Sequence, residues 1–84
     1  MALYLLTYDL NKPDRDYSDL YAKLEELGAK RVQESVWMLR IKGTTAGKLR
    51  VELSALFHSK KDRLLVAKVR DWATWNPITS VSEI

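Results

Sequence analysis

The run Ala2 to Asn11, ALYLLTYDLN, is apolar until it reaches Asp9. A carboxylate at the end of such a run has two uses. It can accept backbone hydrogen bonds in the loop that follows, as Asp does readily after a strand. It can also offer oxygens to a hard divalent cation such as Mg²⁺ or Mn²⁺, which needs only one or two protein carboxylates when substrate phosphates complete its shell. A lone Asp suffices for the second use only if another copy of the chain doubles it. An ion held that way would polarise a phosphodiester and lower the pKa of a bound water. Tyr8 beside it is a candidate flanking hydrogen-bond donor. Other chemistries have little to work with. There is one histidine, His58, and no cysteine, so neither a thiolate or transition-metal centre nor a Ser-His-Asp arrangement is supported. No Gly-rich phosphate loop is present.

Basic residues form the second group. Lys12 and Arg15 follow Asp9, and Lys30, Arg31, Arg40, Lys42, Lys48 and Arg50 run from mid-chain onward. Phosphates lying on such a surface would make binding salt-dependent; the alternative is a solvated face that keeps the protein soluble. The net charge of +3 and pI near 9.3 are compatible with nucleic acid without demanding it. Trp37, Trp72 and Trp75 have the chemistry to stack bases, although Trp in a small domain more often fills a core or interface.

The elements that must position these residues follow from spacing. Leu3 to Tyr8 reads as a strand buried on both faces, stopped by the Asn11-Lys12-Pro13-Asp14 loop. Asp16 is the expected N-cap of an amphipathic helix whose apolar stripe is Tyr17, Leu20, Tyr21, Leu24 and Leu27, ending at Gly28. Ala29 to Glu34 and Val36 to Ile41 read as an antiparallel hairpin turning at Glu34 and Ser35, with Trp37, Leu39 and Ile41 on one face and Val36, Met38 and Arg40 on the other. Thr44 or Thr45 caps a second helix with apolar positions Ala46, Leu49, Leu53, Leu56 and Phe57. After the polar connector His58 to Asp62, Arg63 to Val69 is a fourth strand. The order βαββαβ predicts an α+β, ferredoxin-like fold: a four-stranded antiparallel sheet with both helices on one face. The other face needs cover, and Asp71 to Ile84 is a candidate, with Thr79 to Ile84 alternating like a fifth, edge strand that pairs within the subunit or with a partner.

Eighty-four residues make one domain, and a chain of this size buries only about 60% of its unfolded surface, which makes an oligomer plausible. With 46% hydrophobic residues it has enough for a packed core. No signal-like segment and no run of membrane-spanning length is present, so the expectation is a cytoplasmic protein with no membrane partner.

The strand ending Tyr8-Asp9, followed by Gly28 and then Arg31-Val32-Gln33-Glu34-Ser35-Val36-Trp37, resembles the CRISPR-associated protein 2 family and the similar virulence-associated protein D ribonucleases. The resemblance implies a homodimer with facing sheets, in which Asp9 from each subunit is metal ligand and catalytic group for a divalent-metal-dependent endonuclease acting on RNA or DNA. It places Ser35 near the site in a supporting role. Nucleic acid would meet Lys12, Arg15, Arg31, Arg40 and Lys42, and a second protein, integrase-like or another defence component, is a possible partner. The alternative is a non-catalytic protein-interaction or DNA-scaffolding module. One departure is plain: where the family commonly has a basic cluster after the strand-end aspartate, this chain has Lys12 and Arg15 among Asp14, Asp16 and Asp19.

Overall fold

A computed structural model describes residues 1–12 and 14–84; Pro13, on which the sequence placed the stop after the first strand, lies outside the described residues. The elements are β1 (Ala2–Asp9), α1 (Ser18–Glu26), β2 (Lys30–Gln33), β3 (Val36–Ile41), α2 (Ala46–Ser54) and β4 (Arg63–Val69). The sheet order is β2-β3-β1-β4, with each neighbouring pair antiparallel. This is the ferredoxin-like arrangement, and it puts β1 at the centre and β4 on an edge.

Strand alternation sorts the side chains. Tyr4, Leu6 and Tyr8 of β1 and Trp37 and Leu39 of β3 pack with Leu20 and Leu24 of α1, Leu49 and Leu53 of α2, and Phe57. The stripes expected from sequence therefore form the main core. Lys23 of α1 bridges Glu52 of α2 at 3.2 Å across the top of this layer.

Local chemistry sets the helix ends. Thr45 accepts the Lys48 backbone N–H at 3.1 Å, a side-chain cap for α2. At the end of α1, Gly28 adopts φ +83°, so that its own N–H reaches Glu25 O and the Ala29 N–H reaches Leu24 O, the paired bonds of a Schellman stop. The start of α1 differs from expectation. Its N-cap is Tyr17, which makes no side-chain cap bond, and Asp16 instead accepts the Ser18 N–H at 2.9 Å. That i to i+2 bond is a local Asx turn, which competes with capping and shifts the helix start by one residue.

The second face is covered by the chain's own tail. Val81, 2% exposed, packs with Leu3, Val32 and Met38, and Ile84 packs against the same cluster. The Ile78 N–H donates to Val32 O at 2.8 Å. The Arg40 Nε–H donates to Ile84 O at 2.7 Å, and its guanidinium lies 5.9 Å from the Trp72 ring centre. The expected fifth strand does not form: Val81–Glu83 is a 3-10 turn. A single bond to the β2 edge does not make a ladder, and the turn is what drives Val81 into the sheet while bringing the Ile84 carbonyl to Arg40. No helix among the described residues is long and apolar enough to cross a membrane.

Candidate functional site at the end of the central strand

Asp9 ends β1 in register with Arg63, the first residue of β4. By alternation it shares the face of Leu3, Leu5 and Thr7, the side on which the tail lies. The tail covers Leu3 and leaves this end open. The Asp9 side chain is 64% exposed, and Leu65, one residue beyond Leu64 in β4, is 55% exposed. Thr7, Tyr8, Asp9, Arg63, Leu64 and Leu65 line a shallow depression of about 350 Å³. Arg63 Nη1 stands 3.8 Å from Asp9 Oδ2, a loose pair with both groups in solvent, where such contacts contribute little.

Tyr8 is placed otherwise than its flanking role requires. Its hydroxyl accepts the Trp37 indole N–H at 3.0 Å inside the helix-covered core, and its ring tilts against Phe57. Burial pushes its pKa up; the bond from Trp37 opposes that, and the Tyr21 hydroxyl reinforces it. The hydroxyl thus points to the opposite side of the sheet from Asp9, a consequence of the two-residue strand period. Ser35 lies in the β2–β3 turn, and its carbonyl accepts the Tyr8 N–H at 3.3 Å, which joins that turn to the end of β1.

The five basic residues expected to meet nucleic acid have different partners. Arg31 lies over the rings of Tyr21, at 5.1 Å, and Trp37, at 4.9 Å, with its Nε buried and unbonded among the described residues. Arg40 holds the tail. Lys12 pairs with Asp14 at 3.2 Å, and Arg15 lies over the Tyr17 ring. Lys42 is solvent-exposed at the far end of β3. The Arg31 and Arg40 guanidinium groups thus lie over aromatic rings, and Arg40 also donates to the tail, contacts for Arg that charge in a sequence does not reveal.

One residue of consequence was not singled out from sequence. Asp62 accepts the Asn11 N–H at 2.8 Å, the Tyr17 hydroxyl at 2.8 and 2.7 Å, and the His58 N–H at 2.7 Å. Burial alone would raise its pKa. The His58 N–H, the Tyr17 hydroxyl, the Asn11 N–H and the charge of Arg15 together outweigh burial and hold the carboxyl below its ordinary value. Asp62 thereby ties the loop after Asp9 to the connector before Arg63, and the Asn11 Nδ2–H bond to Lys61 O at 2.9 Å adds a second tie. A sequence signal existed only in type: an Asp in a polar connector is often a hydrogen-bond acceptor, but its partners lie up to 51 positions away.

The donor set decides how a metal fits. Among the described residues no three His, Cys, Asp or Glu side chains converge. At the end of β1 the described residues that line the depression include one carboxylate, Asp9, with Arg63 near it. That set suits Mg²⁺ or Mn²⁺ once a second carboxylate and phosphate oxygens are added, and not before.

The chain is thus a small α+β protein with a ferredoxin-like sheet and an exposed carboxylate, Asp9, at the tip of a central strand. Residues 1–76 match the family model described as CRISPR associated protein Cas2. The chain belongs to that family, and the resemblance read from Tyr8-Asp9 and the Arg31 to Trp37 stretch is borne out.

Proposed function

We propose that two copies of this chain associate across the open end of the sheet face and act on nucleic acid, with Asp9 from each copy holding one Mg²⁺ or Mn²⁺ ion. The observation that carries this reading is the exposed Asp9 carboxylate beside the uncovered Leu65 in a Cas2-family chain. A protein of this size gains from covering an apolar side chain on a second copy, and doubling the carboxylate completes a donor set that one chain lacks. When bound, the ion supplies Lewis-acid polarisation of a phosphodiester and a more acidic water. The chain's own residues do the rest. Asp9 anchors and orients, Arg63 places positive charge where a phosphate would approach, and the Ser35 carbonyl bond to the Tyr8 N–H fixes the strand end.

The test is cleavage of RNA and DNA by purified protein with Mg²⁺ or Mn²⁺, beside Asp9→Asn. The expected outcome is metal-dependent cleavage lost in the variant; cleavage that survives the substitution sinks the assigned role of Asp9. Binding without cleavage in both proteins leaves the non-catalytic reading, a scaffold that holds DNA and docks a second protein. That reading is favoured by Trp75, 87% exposed, and by Ile78 on the tail, which such a partner would cover.

A further inference from the structure

The two edges of the sheet differ in what lies along them. At β2 the tail passes the edge, and the Ile78 N–H donates to Val32 O. At β4 the backbone phase shows what is left over. The Tyr8 N–H donates to Ser35 O, toward β3. Backbone groups alternate sides along a strand, so Leu6 and Tyr4 also turn theirs to β3, while Leu3, Leu5, Thr7 and Asp9 turn theirs to β4. Their partners in that ladder are Val69, Ala67, Leu65 and Arg63. The N–H and C=O groups of Leu64, Val66 and Lys68 therefore point off the sheet, and no hydrogen bond to them occurs among the described residues.

Proteins blunt such edges with Pro, a bulge or a covering segment. β4 runs seven residues, RLLVAKV, without Pro or Gly, and its register to β1 is unbroken. Cations surround it instead. Residues 48–70 carry seven cations and two acids, and both acids are engaged elsewhere: Glu52 pairs with Lys23, and Asp62 accepts from Asn11, Tyr17 and His58. Arg50 of α2 lines a concavity with His58 and Leu64, which sets it beside the start of the β4 edge. Lys60 and Lys61 precede the strand on a loop held by His58 Nδ1, which accepts their backbone N–H groups at 3.3 and 3.1 Å. Lys68 lies opposite Tyr4 and so shares the helix-covered face. Guarding against aggregation explains a lysine on the strand itself; it does not explain Arg50 on the neighbouring helix.

We infer that the outer edge of β4 is a docking site for an extended acidic segment of another protein, which adds to the sheet as an antiparallel strand. Charge selects this occupant. A second copy paired edge to edge would set Arg50, Lys60, Lys61 and Lys68 against their own counterparts, and like charges across a strand pair are destabilising. Nucleic acid has no alternating row of N–H and C=O groups to match Leu64, Val66 and Lys68. Main-chain bonds of this kind give affinity, and alternate side chains give specificity. Leu64 to Lys68 spans about 13 Å at ~3.3 Å per residue, enough to engage about five partner residues. Those bonded to Leu64, Val66 and Lys68 put their side chains on the helix-covered face, where Arg50 and Lys68 call for acids. Those between fall on the tail side beside Leu65 and Ala67, where apolar residues fit.

The experiment is fluorescence anisotropy of the full chain with a labelled, end-capped peptide of about seven residues alternating Glu and Val, the length set by the strand span. Two isomers carry N-methyl groups, one on the Glu amides and one on the Val amides. In the antiparallel arrangement only the Glu amides face β4, so methylating them should weaken binding roughly 25-fold or more, the loss of two or more net hydrogen bonds, while methylating the Val amides leaves it unchanged. Lys68→Pro removes one outward N–H at a position where an edge strand tolerates Pro. It should bind roughly fivefold more weakly than Lys68→Ala, which loses the same charge and keeps the N–H; melting curves establish that both are folded. Any other pattern among the isomers, equal affinity of the two folded variants, or no saturable binding of the unmodified peptide overturns the site. Self-association of wild type that Lys68→Pro abolishes identifies a second copy as the occupant and overturns the choice of partner. Displacement of the peptide by an oligonucleotide of equal charge, as effective as by unlabelled peptide, identifies a phosphate site and overturns it as well.

Discussion

Replacing Val81 with Ala tests whether the tail is part of the fold. Val81 is 2% exposed and is enclosed by Leu3, Val32 and Met38, so the substitution removes two buried methyl groups. At about 0.8 kcal/mol each the transfer loss is roughly 1.6 kcal/mol. A residual cavity adds to it, partly offset by relaxation of the short 3-10 turn, giving an expected cost of about 1.5–2.5 kcal/mol. In a domain of this size each 1 kcal/mol moves the melting temperature by about 4–8 °C, so a drop of about 6–20 °C is expected. The assay is thermal melting followed by circular dichroism at two protein concentrations tenfold apart. Dimer formation elsewhere raises both melting temperatures with concentration, but a tail docked on its own sheet makes the difference between wild type and variant the same at both. A difference that grows with concentration would show the tail docking on a partner. A cost under about 0.5 kcal/mol, the level of an ordinary surface change, would refute the docking itself.

Two further substitutions separate structure from site. Tyr8→Phe leaves the buried Trp37 indole N–H without its acceptor, at a cost of about 1–3 kcal/mol; on the proposed nuclease reading the folded variant should match wild type in the cleavage assay, and a selective loss at full folding would return Tyr8 to the site. For Asp62, the carboxyl pKa is held below its unfolded value, so the unfolded chain binds more protons as pH falls. The stabilisation is present above the ordinary aspartate pKa of about 3.9 and is lost as pH falls through the lower folded value. Urea unfolding from pH 6 down to pH 3 should therefore show the gap between wild type and Asp62→Asn closing on acidification, and parallel curves would exclude Asp62 as the cause.

Much of the fold was legible because its determinants are local or periodic. Gly28 and Thr45 act within a turn of their own helix, and the alternation of Trp37, Leu39 and Ile41 against Val36, Met38 and Arg40 follows from strand geometry alone. The tail was harder. Thr79 to Ile84 alternates like a strand, but an edge strand needs a ladder, and the β2 edge supplies one carbonyl, Val32 O. The site divided along similar lines. Asp9 could be placed at a strand tip from the point where the apolar run stops. That Tyr8 faces away from Asp9 follows from the strand period, whereas the partner of its hydroxyl, Trp37, lies 29 positions away. The basic residues were least legible, since a sequence gives the charge of Arg31 and Arg40 and omits the aromatic rings and carbonyl that occupy them. Asp62 was invisible as a tie because all its meaning lies in contacts that the chain closes late.

That lateness has a consequence during synthesis. β1 is the first strand to emerge and the central one, yet one of its two neighbours, β4, ends only at Val69. Until the ribosome has released that stretch, β1 has a bare hydrogen-bonding edge, and the Asn11 and Tyr17 ties to Asp62 do not exist. A growing chain with an unpaired apolar strand invites pairing with its neighbours on the same message. Slow translation through the connector from His58 to Asp62 would lengthen that exposure, whereas codons that speed passage to Val69 would shorten it.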